Sequence, residues 1–197
     1  HIDEGFDFLG YNFRKFNGTL IVKPSVKSVQ KLLDKVKSIT RKYRAISQVS
    51  LIRILNPIIR GWSNYYKTCS CGKTKIKVDY LLYKKIRRWA DRRHPKKGKH
   101  WVSHKYFHTR GKNHWRFGTW VKKQGEKMFY PLISVCDVPK TKHILIVGEA
   151  NPYSEQYTTY FDKRHTQNLL EHFNGRYALR NLWEKQMRRC KVCGEQV

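Results

Sequence analysis

Cys190 and Cys193 are separated by two residues and followed by Gly194, the spacing that lets two thiolates meet one Zn²⁺. A tetrahedral zinc needs two more ligands, and Cys69 and Cys71 lie far upstream, so the pair reads as an incomplete half-site. His100, His104 and His108 recur every four residues, which on one helix would align three imidazoles. With no Cys or carboxylate among them and Lys and Arg on every side, they suit phosphate contact better than metal. Between residues 84 and 116, thirteen Lys and Arg face one acid, Asp91, and Trp89, Trp101, Tyr106, Phe107 and Trp115 are interleaved with them. Cations for phosphates and rings for bases or ribose are the two halves of a nucleic-acid surface.

Catalytic chemistry has little material. Two-metal phosphoryl transfer requires clustered carboxylates, whereas the 14 acids are scattered, and Asp3, Glu4 and Asp7 border a strand. No Gly-rich phosphate loop, Gly-x-Ser-x-Gly elbow or His-Glu-x-x-His occurs. No catalytic residue is assigned, and Cys69, Cys71 and Cys136 are taken as structural thiols.

The 197 residues carry 42 Lys+Arg against 14 Asp+Glu, a net charge of +28 that a polyanionic partner would neutralise. With 14% aromatic residues and periodic Leu, Ile and Val, the chain is not a disordered basic tail. No apolar run approaches the roughly 20 residues that span a bilayer, so no membrane partner is expected. The start at His1 without a charged-then-apolar leader points to no signal peptide, and to a processed N-terminus or a fragment. Five Cys in C-x-C and C-x-x-C spacings suit a reducing, cytoplasmic compartment better than a secreted disulfide framework.

The elements that must carry these residues follow from periodicity. Asn17-Gly18 between two apolar runs predicts a β-hairpin within residues 1–24. Ser25 then caps a helix with Val26, Val29, Leu32, Leu33, Val36 and Ile39 on one face. The other face presents Lys27, Lys31, Lys35 and Lys42, with Arg41 and Arg44 nearer its edges. A second helix begins near Ser47 or Ser50, and Asn56-Pro57 is expected to start a new helix or a kink that continues through Ile58, Ile59, Trp62, Tyr65 and Tyr66. Trp62 is read as a core anchor, and one of Tyr65 and Tyr66 as exposed. A third helix is expected from Asp79 to the residue before His94-Pro95, with Trp89 in its core face. The fold expectation is mainly α with small β elements: an N-terminal hairpin, a three-helix unit at 25–93, and a basic mixed α/β region at 94–150. That region includes strands near Trp115–Phe117, Lys127–Ser134 and Lys142–Val147. Asn151-Pro152 marks a linker opening a last segment, 151–197, with a helix near Leu179–Arg189.

Several stretches, in order, resemble the multifunctional proteins encoded by group II introns. They are Gly5-Phe6-Asp7-Phe8-Leu9-Gly10-Tyr11, Lys23-Pro24-Ser25, Leu55-Asn56-Pro57-Ile58-Ile59-Arg60-Gly61-Trp62-Ser63-Asn64-Tyr65-Tyr66 and Arg88-Trp89-Ala90-Asp91-Arg92-Arg93-His94-Pro95-Lys96. Leu182-Trp183-Glu184-Lys185-Gln186 before Cys190-Lys191-Val192-Cys193-Gly194 resembles the opening of an HNH endonuclease. The resemblance implies the C-terminal part of such a protein. Residues 1–24 would end the reverse-transcriptase palm, 25–93 form a thumb-like maturase domain X, 94–150 contact DNA, and 151–197 begin the endonuclease. It further implies intron RNA and target DNA as partners, with a separate reverse-transcriptase segment, in a bacterial cytoplasm at the nucleoid or in an organelle. The palm's Tyr-x-Asp-Asp signature and the HNH histidines do not occur in this chain. No cofactor is therefore expected in it, with Mg²⁺ expected for the intact reverse transcriptase and the RNA, and Zn²⁺ for a complete endonuclease domain at Cys190 and Cys193. The nucleic-acid contacts expected are Lys27, Lys31, Lys35, Arg41, Arg60, Arg88, Arg92, Arg93, His94, Lys96 and Lys97. The alternatives are a general basic RNA- or DNA-binding protein of ribosomal-protein type, and a zinc-dependent HNH nuclease.

Overall fold

The computed structural model describes residues 1–69, 71–111, 113–123, 125–141, 145–173 and 177–194. It divides into two compact units, His1–His143 and Ile144–Val197.

Unit 1 opens with an antiparallel three-strand meander, β1 (Phe6–Phe8), β2 (Tyr11–Phe16) and β3 (Thr19–Pro24). Both turns are two-residue: Leu9-Gly10 and Asn17-Gly18 each hold positive φ at both positions, the backbone a type I′ hairpin demands. The expected hairpin is thus β2–β3, with β1 added at its edge.

Ser25 caps α1 (Val26–Lys42), its hydroxyl accepting from the Ser28 N–H at 3.1 Å, and Ser47 caps α2 (Gln48–Tyr65) in the same way through Ser50. Asn56-Pro57 does not start a new helix, because α2 runs through both. Pro57 sits on the exposed side, where the carbonyl it leaves without a donor can reach water. Asn56 is buried, and its amide faces another element: Nδ2 donates to the Pro131 carbonyl (3.2 Å) and Oδ1 accepts from the Ile133 N–H (2.9 Å). The third helix, α3 (Gly72–Arg93), begins about two turns before Asp79. Its first turns carry Lys73, Lys75 and Lys77, which blunt the apolar period, yet Lys75 is buried with its ammonium donating to the Val138 carbonyl at 2.9 Å. Asp79 instead accepts from the Val135 and Cys136 N–H groups and so caps the 3-10 turn Val135–Asp137.

α4 (Lys99–Tyr106) leads into a second antiparallel meander, β4 (Phe107–Arg110), β5 (Asn113–Lys123) and β6 (Glu126–Pro131). The Trp115–Phe117 expectation lands in a strand and so does the 127–131 part of Lys127–Ser134, whereas 132–134 and 145–147 form none and Lys142 to Ile144 lie outside the described residues. The core crosses residue 94. Leu33, Val36, Leu51, Ile52, Leu55, Ile59, Val78, Leu82, Ile86 and Trp89 pack in one buried cluster with Val102, Tyr106, Phe107, Phe117, Leu132 and Val135. The basic segment is consequently built onto the three helices. Gly118 lets β5 and β6 close, since a Cβ there would meet the Phe129 ring at 2.5 Å.

Unit 2 contains α5 (Thr158–His172) and α6 (Tyr177–Lys185), with Trp183 buried and its ring 5.7 Å from that of Phe173. A 3-10 turn at Glu155–Tyr157 runs into α5, so part of the expected linker is helical. The last helix ends at Lys185, short of Arg189, because Met187 and Arg188 both take positive φ.

Candidate nucleic-acid interface

A cation can bind phosphate only if the fold leaves it uncommitted. Lys27, Lys31 and Lys35 are exposed and spaced by four along α1, so they form one line on its outer surface. Arg41 belongs to a different line. With Lys37 it faces α3, where Lys85 feels the charges of Lys37, Arg88 and Arg41 and is offset by Asp34 alone. Burial first, then these like charges, pushes the Lys85 ammonium below its ordinary pKa, the signature of a crowded cationic furrow between α1 and α3. Lys37 and Lys85 were not on the expected contact set. The signal for them was the charge itself, but only packing shows that four cations converge.

Arg60 lies on the exposed face of α2 with Arg53, Pro57, Gly61 and Asn64. Arg88 and Arg92 are exposed on α3, and Lys96 and Lys97 are exposed in the turn after it. Lys97 and Lys105 place their ammonium groups 5.5 and 4.8 Å from the centre of the Trp101 ring, which is 40% exposed. A ring open to solvent and flanked by two lysines is suited to a stacked base beside a phosphate.

Two expected contacts are committed elsewhere. Arg93 donates to the Arg44 carbonyl at 3.3 Å and to the Ile46 carbonyl, and its guanidinium lies 4.8 Å from the Trp89 ring centre. It braces the loop between α1 and α2 against the end of α3. His94 is hydrogen-bonded through Nε2 to the Tyr106 hydroxyl (2.8 Å) and meets the Trp101 ring edge-on at 4.9 Å. Burial, then the charges of Lys105, Arg93 and Lys97, lowers its pKa, so the imidazole is held neutral and contributes geometry in place of charge. Arg87 and Arg116 are bound similarly, to Asp91 and Asp137.

The Trp-Ser-Asn-Tyr-Tyr stretch holds the first sheet to the helices. Tyr66 is buried, donates to the Gly10 carbonyl at 2.9 Å and shares a 2.6 Å hydrogen bond with Ser28, while exposed Tyr65 donates to the Leu9 carbonyl at 2.8 Å. Tyr11 returns the contact by donating to the Tyr65 carbonyl at 2.6 Å, and its hydroxyl pKa is pushed up to about 12, chiefly by burial. Trp62 donates from Nε1 to the Ser28 hydroxyl (3.3 Å) and packs on Tyr66, and Trp89 is fully buried, donating to the Tyr43 carbonyl at 2.9 Å. Both tryptophans are anchors, as their spacing implied. The Phe-Leu-Gly and Leu-Asn-Pro to Tyr-Tyr stretches are therefore two sides of one joint.

A family model spans this same helical core, from the first turn of α1 to the start of β4. Residues 29–107 match the group II intron, maturase-specific domain. No curated protein matches the chain. The maturase-specific segment takes in the α1–α3 furrow, Arg60, Arg88, Arg92, Lys96, Lys97 and the Trp101 platform, so the uncommitted cations and the matched sequence coincide.

Outside that coincidence the metal expectations thin out. His100 and His104 share α4 with Nε2 atoms 3.3 Å apart, but His108 lies in β4 against Phe129, so no row of three forms. Among the described residues no three His, Cys, Asp or Glu side chains gather as metal ligands. Cys190 sits at a tight turn, where the Cys193 and Val192 N–H groups lower its pKa by stabilising the thiolate. Two thiols are half of what zinc requires, so the residues present do not fit a complete site. Cys69 and Cys71 are buried, donating to the Tyr66 carbonyl, and burial pushes the Cys69 thiol up to about 12. Among the described residues no helix is long and apolar enough to cross a membrane.

Proposed function

We propose that this chain binds group II intron RNA through the outer surfaces of its helices and helps that RNA reach its splicing-competent fold. The observation that carries the reading is the overlap of the maturase-specific match at 29–107 with exposed, uncommitted cations on α1, α2 and α3. Phosphate bound in the α1–α3 furrow would relieve the repulsion among Lys37, Arg41, Lys85 and Arg88, and in return would offset repulsion between RNA strands brought close together. The RNA would perform the transesterifications, and the protein would act as a clamp. The finer assignments follow the family order. Residues 1–24 would be the end of the palm, 25–93 domain X, 94–150 a contact for target DNA in retrohoming, and 151–197 the approach to an HNH endonuclease. A reverse-transcriptase segment would complete the active particle, with Mg²⁺ serving that polymerase and the RNA, and Zn²⁺ serving a complete endonuclease. The test is photo-crosslinking to the RNA that flanks the gene, with peptide mapping. Crosslinks on α1, on α2 around Arg60 and on residues 88–101 support the reading, and crosslinks confined to 144–197 would contradict it.

A further inference from the structure

We infer that the cleft between Trp115 and Trp120 takes a single unpaired nucleobase, a recognition site distinct from the helical clamp. The inference rests on the nucleic-acid reading above and adds to it a specific pocket. The cleft is about 440 Å³, within the range of small-ligand sites, and is lined by His104, Phe107, His108, His114, Trp115 and Trp120. Trp115 and Trp120 are 57% and 54% exposed, so two large indoles stand in water at its edges. Trp120 is set edge-to-face on buried Phe129 at 5.2 Å, and His108 meets the same ring at 5.5 Å, which fixes one wall. Arg110 lies beside that wall, its guanidinium 5.2 Å from the Phe129 centre.

Trp115 is the unusual member. It holds φ at +67°, a conformation that a bulky side chain adopts only when its surroundings impose it. The β4–β5 register is irregular between His108 and Arg110, on the strand that faces it. Trp115 and His114 also line a second cleft of about 530 Å³. That second cleft is mostly apolar, and its guanidinium, Arg116, is already held by Asp137. The first cleft combines flat aromatic walls with three imidazoles that can donate or accept, and Arg110 lies over its Trp120 wall, 6.0 Å from that ring's centre, in a chain of charge +28. Rings to stack on, edge-reading polar groups and a cation for the adjoining phosphate are what an extruded base requires. Among the described residues no carboxylate lines it to repel the phosphate.

The experiment uses the full chain and three hairpin duplexes: fully paired, carrying one bulged nucleotide, and carrying the same bulge without its base. Each is made as RNA and as DNA. The expected result is about tenfold tighter binding of the bulged duplex than of either other form. The RNA and DNA arms assign the source, and a preference in either supports the pocket. Trp115→Gly, which suits the positive φ, should abolish the preference for the bulged duplex. Trp120→Ala should reduce it without touching the strained position, and Trp115→Phe should retain most of it. Equal binding of all three duplexes by the wild type, or a preference that survives both Trp115→Gly and Trp120→Ala, would overturn the pocket alone. Failure to bind any duplex or the flanking RNA would overturn the nucleic-acid reading and the pocket with it.

Discussion

Arg92 and Arg93 are adjacent, equally charged and differently employed. Arg92 is exposed, whereas Arg93 spends its donors on the carbonyls of Arg44 and Ile46. Arg92→Ala should leave the unfolding free energy within about 0.5 kcal/mol of wild type and lower the slope of log affinity against log salt by about one. Arg93→Ala should cost about 1–3 kcal/mol of stability by stranding its carbonyl partners, with a smaller change in salt slope. Melting curves and salt titrations of the two variants separate the roles, and the reverse pattern would contradict the assignment. His94 gives a pH prediction. Its native pKa lies below the ordinary 6.5, so the native state takes up the proton later than the unfolded chain. Its contribution is then complete above about pH 6.5 and is lost as the pH falls through the native value. His94→Gln should flatten the decline of melting temperature between about pH 7.5 and pH 5.5, and an unchanged decline would count against the depressed value. Charge was legible at this scale but its employment was not, because the carbonyls that occupy Arg93 come from a loop 49 and 47 residues away.

At the scale of elements, local rules served wherever the partner was local. The Ser25 cap, the Asn17-Gly18 turn and the end of α3 before His94-Pro95 need only near neighbours and are where the residue pattern put them, and the Ser47 cap is one of the two starts, Ser47 or Ser50, that the pattern left open for α2. Asn56-Pro57 misled because capping logic assumes that the Asn side chain turns to its own helix, whereas it grips the end of β6. The early start of α3 and the whole of α5 were missed for a related reason: lysines at α3's start and polar residues along α5 weaken the apolar period. Asn56→Ala should therefore act across the fold, leaving the Ile133 N–H and Pro131 carbonyl without partners at a cost of about 1–3 kcal/mol. Denaturant unfolding would read the loss. A wild-type midpoint would mean that the grip contributes nothing.

For the whole molecule, a net +28 pointed to a polyanionic partner from composition alone, while the arrangement of the cations needed the fold. Composition could not separate the cations that converge between α1 and α3 from those consumed by Asp91 and Asp137, since helix packing decides which charges face each other. Nor could it show that the basic segment after residue 94 shares the helical core, because Val102, Tyr106, Phe107 and Phe117 alternate with charged residues that hide their common face. We propose that this surface serves one RNA, which a salt-titrated comparison of affinity would test. The RNA transcribed from the sequence flanking the gene is set against a shuffled RNA of equal length. The expected result is a preference for the flanking RNA well beyond tenfold, about 1.4 kcal/mol, that persists as salt rises. Equal affinities that collapse together with salt would contradict it and leave a general polycation.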